Sequence, residues 1–452
     1  MERKRYGILS KIQIAVFFLL GFFSTIPIIE LPIGSRYVSV FTVLLAVSIS
    51  MLAFHLNPNK SICGKTGRLY LFWLLISLVS CFVGYIYFSG RKEWASASIG
   101  YVSKILIYIL LYLLIKCTAY KDCTSIMMSG LIAGMVANVL WASLEGVIFY
   151  VGGVSVTNVI FKSYIVRHDV RLGQLALILD SGIRSGGLNG DPANIGFFAT
   201  VTAFYSLKKR KAWIFAASVV ATFASVSLVA AVGIIVAVII TIVRGDGISE
   251  KKMKLLAVVC VFAAIVILGG VFFPKTVVGR MLNALTERIR LKGEIAETSV
   301  RTQYFIYFLP AVILSPLYVF IGTGFGTSSF PYLIHTTIDH EFYPYDPECT
   351  YFAYYFDCGL SGVILFLACM ILILKKCRRL CYDDNKYIKY YAPIAGMLIV
   401  LWGYHYIVYA PMMLATICAC VVSDEVKISG TSRGKLMNRN LRIDLKKRKK
   451  FC

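Results

Sequence analysis

Residues 212–243, AWIFAASVVATFASVSLVAAVGIIVAVIITIV, decide how the rest of the chain is threaded. The block is apolar throughout, yet it is too long for one ordinary span, since a hydrocarbon core of about 30 Å takes about 20 helical residues. Splitting it near Ser225–Ser227 gives two helices, 212–225 and 227–243, and keeps the later basic clusters on one side of a membrane. A single tilted helix would invert everything that follows. We adopt the hairpin.

The composition around this block has the same character. The 452 residues are 58% hydrophobic and 15% charged, with a mean hydropathy of +0.74. Further apolar runs fall at 12–29, 37–54, 69–88, 100–116, 126–150, 193–207, 255–273, 357–374, 390–404 and 406–422. No run alternates every second residue as transmembrane strands do, and only helices and closed barrels satisfy the backbone in lipid. The sequence therefore predicts an all-α polytopic membrane protein, a single integral domain over 1–452 with about twelve transmembrane helices. Tyr304 to Ile321 is apolar too, but Pro310 and Pro316 interrupt it, so it reads as an interfacial or re-entrant segment.

The net charge of +24 does not imply nucleic acid. Basic clusters at MERKR, 208–211, 251–254, 375–389 and 446–450 all fall on one side if both termini are cytoplasmic, which is the positive-inside pattern. The tail, 423–452, is a basic cytoplasmic segment that can also meet anionic headgroups of membrane lipids. The basic, apolar start lacks a small-x-small cleavage site and reads as a retained anchor. Most of the 13 cysteines fall in spans or cytoplasmic loops, so neither a disulfide framework nor a zinc spacing follows. No metal or other cofactor is expected, and no Walker-type element supports an ATP-driven pump.

Two sizeable outward loops remain, about 152–194 and 274–356. They are too aromatic and β-branched for disorder, and loops of this length usually carry function. The stretch from Arg301 to Gly362 holds two of the five histidines, His335 and His340, beside Asp339, Glu341, Asp346 and Glu348. Arginines also collect outside, among them Arg184, Arg280, Arg288, Arg290 and Arg301, where Arg suits bidentate binding of phosphate. Two explanations stand for them: a phosphate-bearing ligand, or lipid headgroups and neighbouring carboxylates. Arg288 and Arg290 lie near Glu287 and Glu294 and fit the second, whereas Arg184 and Arg301 fit a ligand better. Arg184-Ser-Gly-Gly-Leu-Asn-Gly-Asp-Pro-Ala-Asn194 crowds turn residues before a helix, with Asp191 as N-cap and Pro192 at the first helical position. Its amides complement an anion, although a plain loop-to-helix cap explains Asp191 and Asn194 nearly as well.

The order of these motifs resembles the bacterial O-antigen polymerase and ligase superfamily. The residues that carry the resemblance are Arg184, Gly187, Asp191, Pro192 and Asn194 before a span, and Arg301 opening a segment that ends in Gly322-Thr-Gly-Phe-Gly326. Glu348, Tyr351, Gly359 and Gly362 follow at the entry to a helix. The resemblance covers roughly Arg184 to Val422. Ligases of that group typically carry His-Asn-x-Tyr where this chain has Glu348-Cys349-Thr350-Tyr351, which tilts the reading towards polymerase. An arginine common in the span near 227 is missing. Arg171 to Gly182 matches an Arg-x10-Gly spacing described for polymerases, but the second loop offers no counterpart.

The resemblance implies a GT-C-like, metal-independent glycosyltransferase of the bacterial inner membrane. Its substrates would be polyprenyl-diphosphate-linked oligosaccharides, and a chain-length regulator would be a candidate partner. Arg184, Arg301 and Arg280 would bind diphosphate. Glu348 would be the general base, with Asp339, His340 and His335 as alternatives, and Asp191, Asn194, Tyr351 and Gly324 would line the substrate. An O-antigen ligase is a second reading. A flippase or exporter of lipid-linked sugars is a third, disfavoured because charges within the spans are few and no repeats match.

Overall fold

The computed structural model describes residues 2–33, 36–56, 64–87, 89–90, 92–118, 120, 122–157, 159–160, 176–179, 182–243, 272, 275–276, 279–284, 316–322, 324–325, 349–403 and 409–425. These residues are mostly helical. The helices are α1 (Glu2–Phe23), α2 (Val40–Ala53), α3 (Lys65–Tyr87), α4 (Lys92–Cys117), α5 (Cys123–Gly152) and α6 (Pro192–Lys209). They continue as α7 (Ala212–Ala224), α8 (Leu228–Val243), the short α9 (Pro316–Ile321), α10 (Thr350–Asp383), α11 (Ile388–Val400) and α12 (Ala410–Glu425). Segments of α3, α4, α5 and α10 are long and apolar enough to cross a bilayer, which fits an all-α membrane protein. The run at 255–273 lies outside the described residues apart from Phe272.

Two antiparallel hairpins accompany the helices: β1 (Glu30–Ile33) with β2 (Arg36–Ser39), and β3 (Ala176–Leu179) with β4 (Gly182–Ser185). Each strand has four residues, too few to leave a hydropathy signal; the β3–β4 hairpin falls between the apolar runs, whereas β2 takes up the first residues of the run expected at 37–54. α10 also outruns its expected span of 357–374, because helix begins earlier with aromatic residues such as Tyr354 and Phe356 buried in the bundle and continues through a basic, polar turn to Asp383.

The break at Ser225–Ser227 is real. Val226 takes φ 48°, and α7 and α8 leave it in opposite senses along α6. The Thr202 hydroxyl bonds Ser218 at 2.8 Å, while Gly196 faces Ser227 and Gly233 faces Thr200. α7 is therefore antiparallel to α6 and α8 parallel to it.

Direct contacts sort the other ends into two faces. On one face Lys376 of α10 and the start of α3 meet Asp424 of α12. There too Lys389 of α11 donates to the Ser125 carbonyl of α5 at 2.8 Å, and Asn385 reaches Lys208 O at the end of α6. Basic residues gather on this face and are scarce among the described residues of the opposite one.

Glycines set the closest crossings. A Cβ on Gly130 would strike the Phe18 carbonyl and one on Gly134 would meet Phe22 O, so α1 lies backbone to backbone on α5 through a Gly-x-x-x-Gly step. Gly359 inside α10 has φ 66° and ψ −172°, a conformation open essentially to glycine alone. There the segment Gly322–Phe325 crosses. Gly324 N–H donates to the Asp357 carbonyl at 3.1 Å, and a Cβ on Gly359 would sit 2.5 Å from Ile321 N. Gly324 itself, at φ 117°, presses on Gly84 of α3.

Asp424 ties three helices together. It accepts from Thr66 N–H at 3.1 Å and Gly67 N–H at 2.8 Å, two of the orphan amides at the start of α3, and pairs with Lys376 at 3.3 Å. Burial alone would raise its carboxyl, but these hydrogen bonds and the lysine hold it below the ordinary carboxylate range.

Two consequences are measurable in detergent. Gly359→Ala combines backbone strain with overpacking, about 2–6 kcal/mol in all, and should abolish the monodisperse peak in size-exclusion chromatography; a native profile would mean the crossing is loose. Because the Asp424 carboxyl is depressed in the fold, its contribution is present at neutral pH and is lost as pH falls through its folded value. Asp424→Asn should therefore lower the melting temperature at pH 7, and its gap to wild type should close only below about pH 3.9.

Candidate functional site

The turn after β4 is built as its sequence predicts. Asp191 sits at φ −126° and ψ 115°, accepts Ala193 N–H at 2.9 Å and places Pro192 in the first turn of α6. Gly187 and Gly190 take φ 59° and 81°, the left-handed values that a tight turn demands. A Cβ on Gly187 would collide with Ile195 Cδ1 at 2.5 Å and crowd the Asn138 carbonyl of α5. The turn lies on the middle of the bundle's longest ascending helix.

Beneath it a layer of amides joins elements far apart in sequence. The Thr25 carbonyl, just past α1, accepts from Asn138 Nδ2 at 3.2 Å and from Asn189 Nδ2 at 3.0 Å. Asn189 also donates to Tyr409 OH at 2.7 Å, and its own Oδ1 accepts from Asn194 Nδ2 at 2.5 Å. Asn138, Asn189 and Asn194 are all buried. Asn138 stands fifteen residues into α5, about 22 Å from its start at 1.5 Å per residue; Tyr409 stands at the same remove from Asp424. The layer thus lies towards the less basic face.

Above the layer Glu145 of α5 is buried, with Oε1 accepting the Ser155 hydroxyl at 3.0 Å and Thr157 N–H at 3.1 Å. Its Oε2 accepts the Ser185 hydroxyl, whose oxygen in turn takes Gly187 N–H at 3.1 Å. Ile183, Tyr150 and Met281 form a separate apolar knot. Arg184 follows Ile183 and is half-buried; Arg280 precedes Met281 and donates from Nη2 to Tyr150 O, one of the last carbonyls of α5. Two of the three arginines expected to bind diphosphate thus adjoin, in sequence, residues of one knot at the end of α5, and Arg280 also bonds the carbonyl of a third knot residue, Tyr150.

The entry to α10 shows the remaining described candidates. Tyr351 OH donates to Leu398 O at 2.7 Å, and its ring lies 5.1 Å from that of Trp402, which is 65% exposed. Tyr354 accepts Trp73 Nε1–H at 2.5 Å and also bonds Ser77. Gly324 is the crossing residue already described. Glu348, Asp339, His340, His335 and Arg301 lie outside the described residues, as do Arg288 and Arg290. Among the described residues no group of three His, Cys, Asp or Glu could hold a metal.

Sequence reading gave no role to four of these residues. Asn138 is a single amide in an apolar run and Asn189 one turn residue among several, and only their convergence gives them meaning. Glu145 and Asp357, an acid buried beside the Gly359 kink, did carry a signal: each is an ionisable group inside an apolar helix. Comparison of the chain with protein-family models and with curated proteins finds no match.

Asn189→Ala would strip partners from Thr25 O, Asn194 and Tyr409, and should cost roughly 3 kcal/mol as buried groups lose their hydrogen bonds. Asp191→Ala removes one cap bond and should cost about 1 kcal/mol. Thermal unfolding of both variants in one detergent checks the order; equal losses would show that the amide layer is not closed.

Proposed function

We propose that this chain is a polysaccharide polymerase of the bacterial inner membrane, with both termini cytoplasmic and twelve transmembrane helices. It transfers a growing glycan from a polyprenyl-diphosphate carrier onto a lipid-linked repeat unit at the outer face. One observation carries the reading most: the neighbours of Arg184 and Arg280, Ile183 and Met281 from the two large loops, pack with Tyr150 in one apolar knot at the end of α5, which brings the two arginine-bearing segments to the same place. That is the arrangement a departing diphosphate needs, since planar guanidinium groups can meet its oxygens in pairs where charge develops. The alternation of helix ends supports the topology, for α8 runs towards the basic face and α10 begins at the opposite one, as the twelve-helix count requires.

In this mechanism Arg184, Arg280 and Arg301 stabilise the leaving diphosphate. Glu348, which immediately precedes the Cys349 N-cap of α10, takes the proton from the attacking sugar hydroxyl. Asp339, His340 and His335 are the alternative bases. Tyr351 and the exposed Trp402 beside it offer an aromatic face to a sugar ring.

Glycolipids of a deletion strain, run on a gel, separate the readings. A polymerase loss leaves single repeat units on the final acceptor, a ligase loss leaves none attached, and a flippase loss traps lipid-linked units on the inner face. Arg301→Lys keeps charge but loses the planar fork, and Glu348→Gln keeps shape but cannot take a proton, a defect worth ~10²–10⁴-fold in rate. Both should accumulate single-repeat glycolipid at normal membrane levels. Normal polymerisation by Glu348→Gln, with failure of Asp339→Asn or His340→Ala, would reassign the base.

A further inference from the structure

Glu145 is only 1% exposed, and the proposed reaction does not use it. A carboxylate so placed is costly unless its oxygens are satisfied. Ser155 and Thr157 satisfy one oxygen from the segment just after α5, and Ser185 satisfies the other from β4. Both anchors belong to the first outward loop. The β3–β4 hairpin in that loop has two four-residue strands, too little to be stable alone, so its position depends on what grips it. Ser185 relays the grip, because its oxygen also receives Gly187 N–H and closes the turn. Ile183 and Ser185 alternate with Arg184 along the strand: the first packs on Tyr150 of α5, the second bonds Glu145 of α5, and Arg184 is left to the other face.

We infer that Glu145 is a positioning residue that acts through Ser185 to hold the backbone of Arg184 where it can meet the diphosphate of a polyprenyl carrier. This rests on the reading of Arg184 as a diphosphate ligand. Glu145 touches no reacting atom. Its two oxygens organise the loop from beneath by accepting from Ser155, Thr157 and Ser185.

The full-length protein in lipid nanodiscs provides the test, with undecaprenyl diphosphate as the probe. Glu145→Gln and Ser185→Ala should each weaken binding roughly tenfold, and the double variant should be no weaker than the worse single one, since both remove one shared bond. Hydrogen–deuterium exchange across residues 182–191 should rise in both. If Glu145→Gln does not fold, Ser185→Ala carries the comparison. Arg184→Lys, measured alongside, separates the two claims. Weakened binding by Arg184→Lys with unchanged binding or exchange in the Glu145 and Ser185 variants overturns the positioning role. Unchanged binding by Arg184→Lys removes the diphosphate reading instead, and faster exchange at 182–191 then still upholds Glu145 as the residue that positions the turn, whereas unchanged exchange refutes it.

Discussion

The Thr25 carbonyl, accepting amides from both Asn138 and Asn189, is the interaction on which the upper half of this bundle depends. α1 ends just before it, α6 begins just after Asn189, and α12 begins just after Tyr409, which bonds the same Asn189. Helix ends leave backbone groups unpaired, and in a membrane protein no solvent reaches them at depth. Side-chain amides solve this with both a donor and an acceptor on one short stem. α5 then continues past the layer, and its last turns carry Glu145 and the Tyr150 carbonyl, to which Ser185 and Arg280 attach.

Charge divides the molecule in a complementary way. Lysines on one face bond to carbonyls, hydroxyls and Asp424, as Lys389 does with Ser125 and Lys376 does with Thr66. Their task is local and structural as well as orienting. At the other end Arg280 meets a helix carbonyl and Arg184 rides on a strand pinned by its two neighbours. The same type of charge thus caps and cross-links below, and is presented from loops above.

What the sequence makes legible follows from how local the cause is. The break in 212–243 was readable because two serines interrupt an apolar run of more than one bilayer thickness, and the Asp191–Pro192 start of α6 because a cap acts within three residues. The β3–β4 hairpin, the amide layer and the Gly322–Gly359 crossing were not, because each joins short or solitary residues whose partners lie elsewhere in the chain. Gly359 was visible as a motif glycine, but nothing in Gly359-x-x-Gly362 announces a φ of 66° inside a helix. Of the expected site, the neighbours of Arg184 and Arg280 pack together at the end of α5, Asp191 and Asn194 have structural partners, and the bases and Arg301 fall outside the described residues.

The Asp424 contact also imposes an order on biosynthesis. Gly67 and Asp424 are separated by 357 residues, which a ribosome takes roughly 20–70 s to traverse at about 5–20 residues per second. Throughout that interval the start of α3 is already made while its carboxylate partner is not, so its amides must be met by water or headgroups in the meantime. The last helix among the described residues closes one of the first, and a chain cut short even a few residues before Asp424 would leave the basic face of the bundle without its latch.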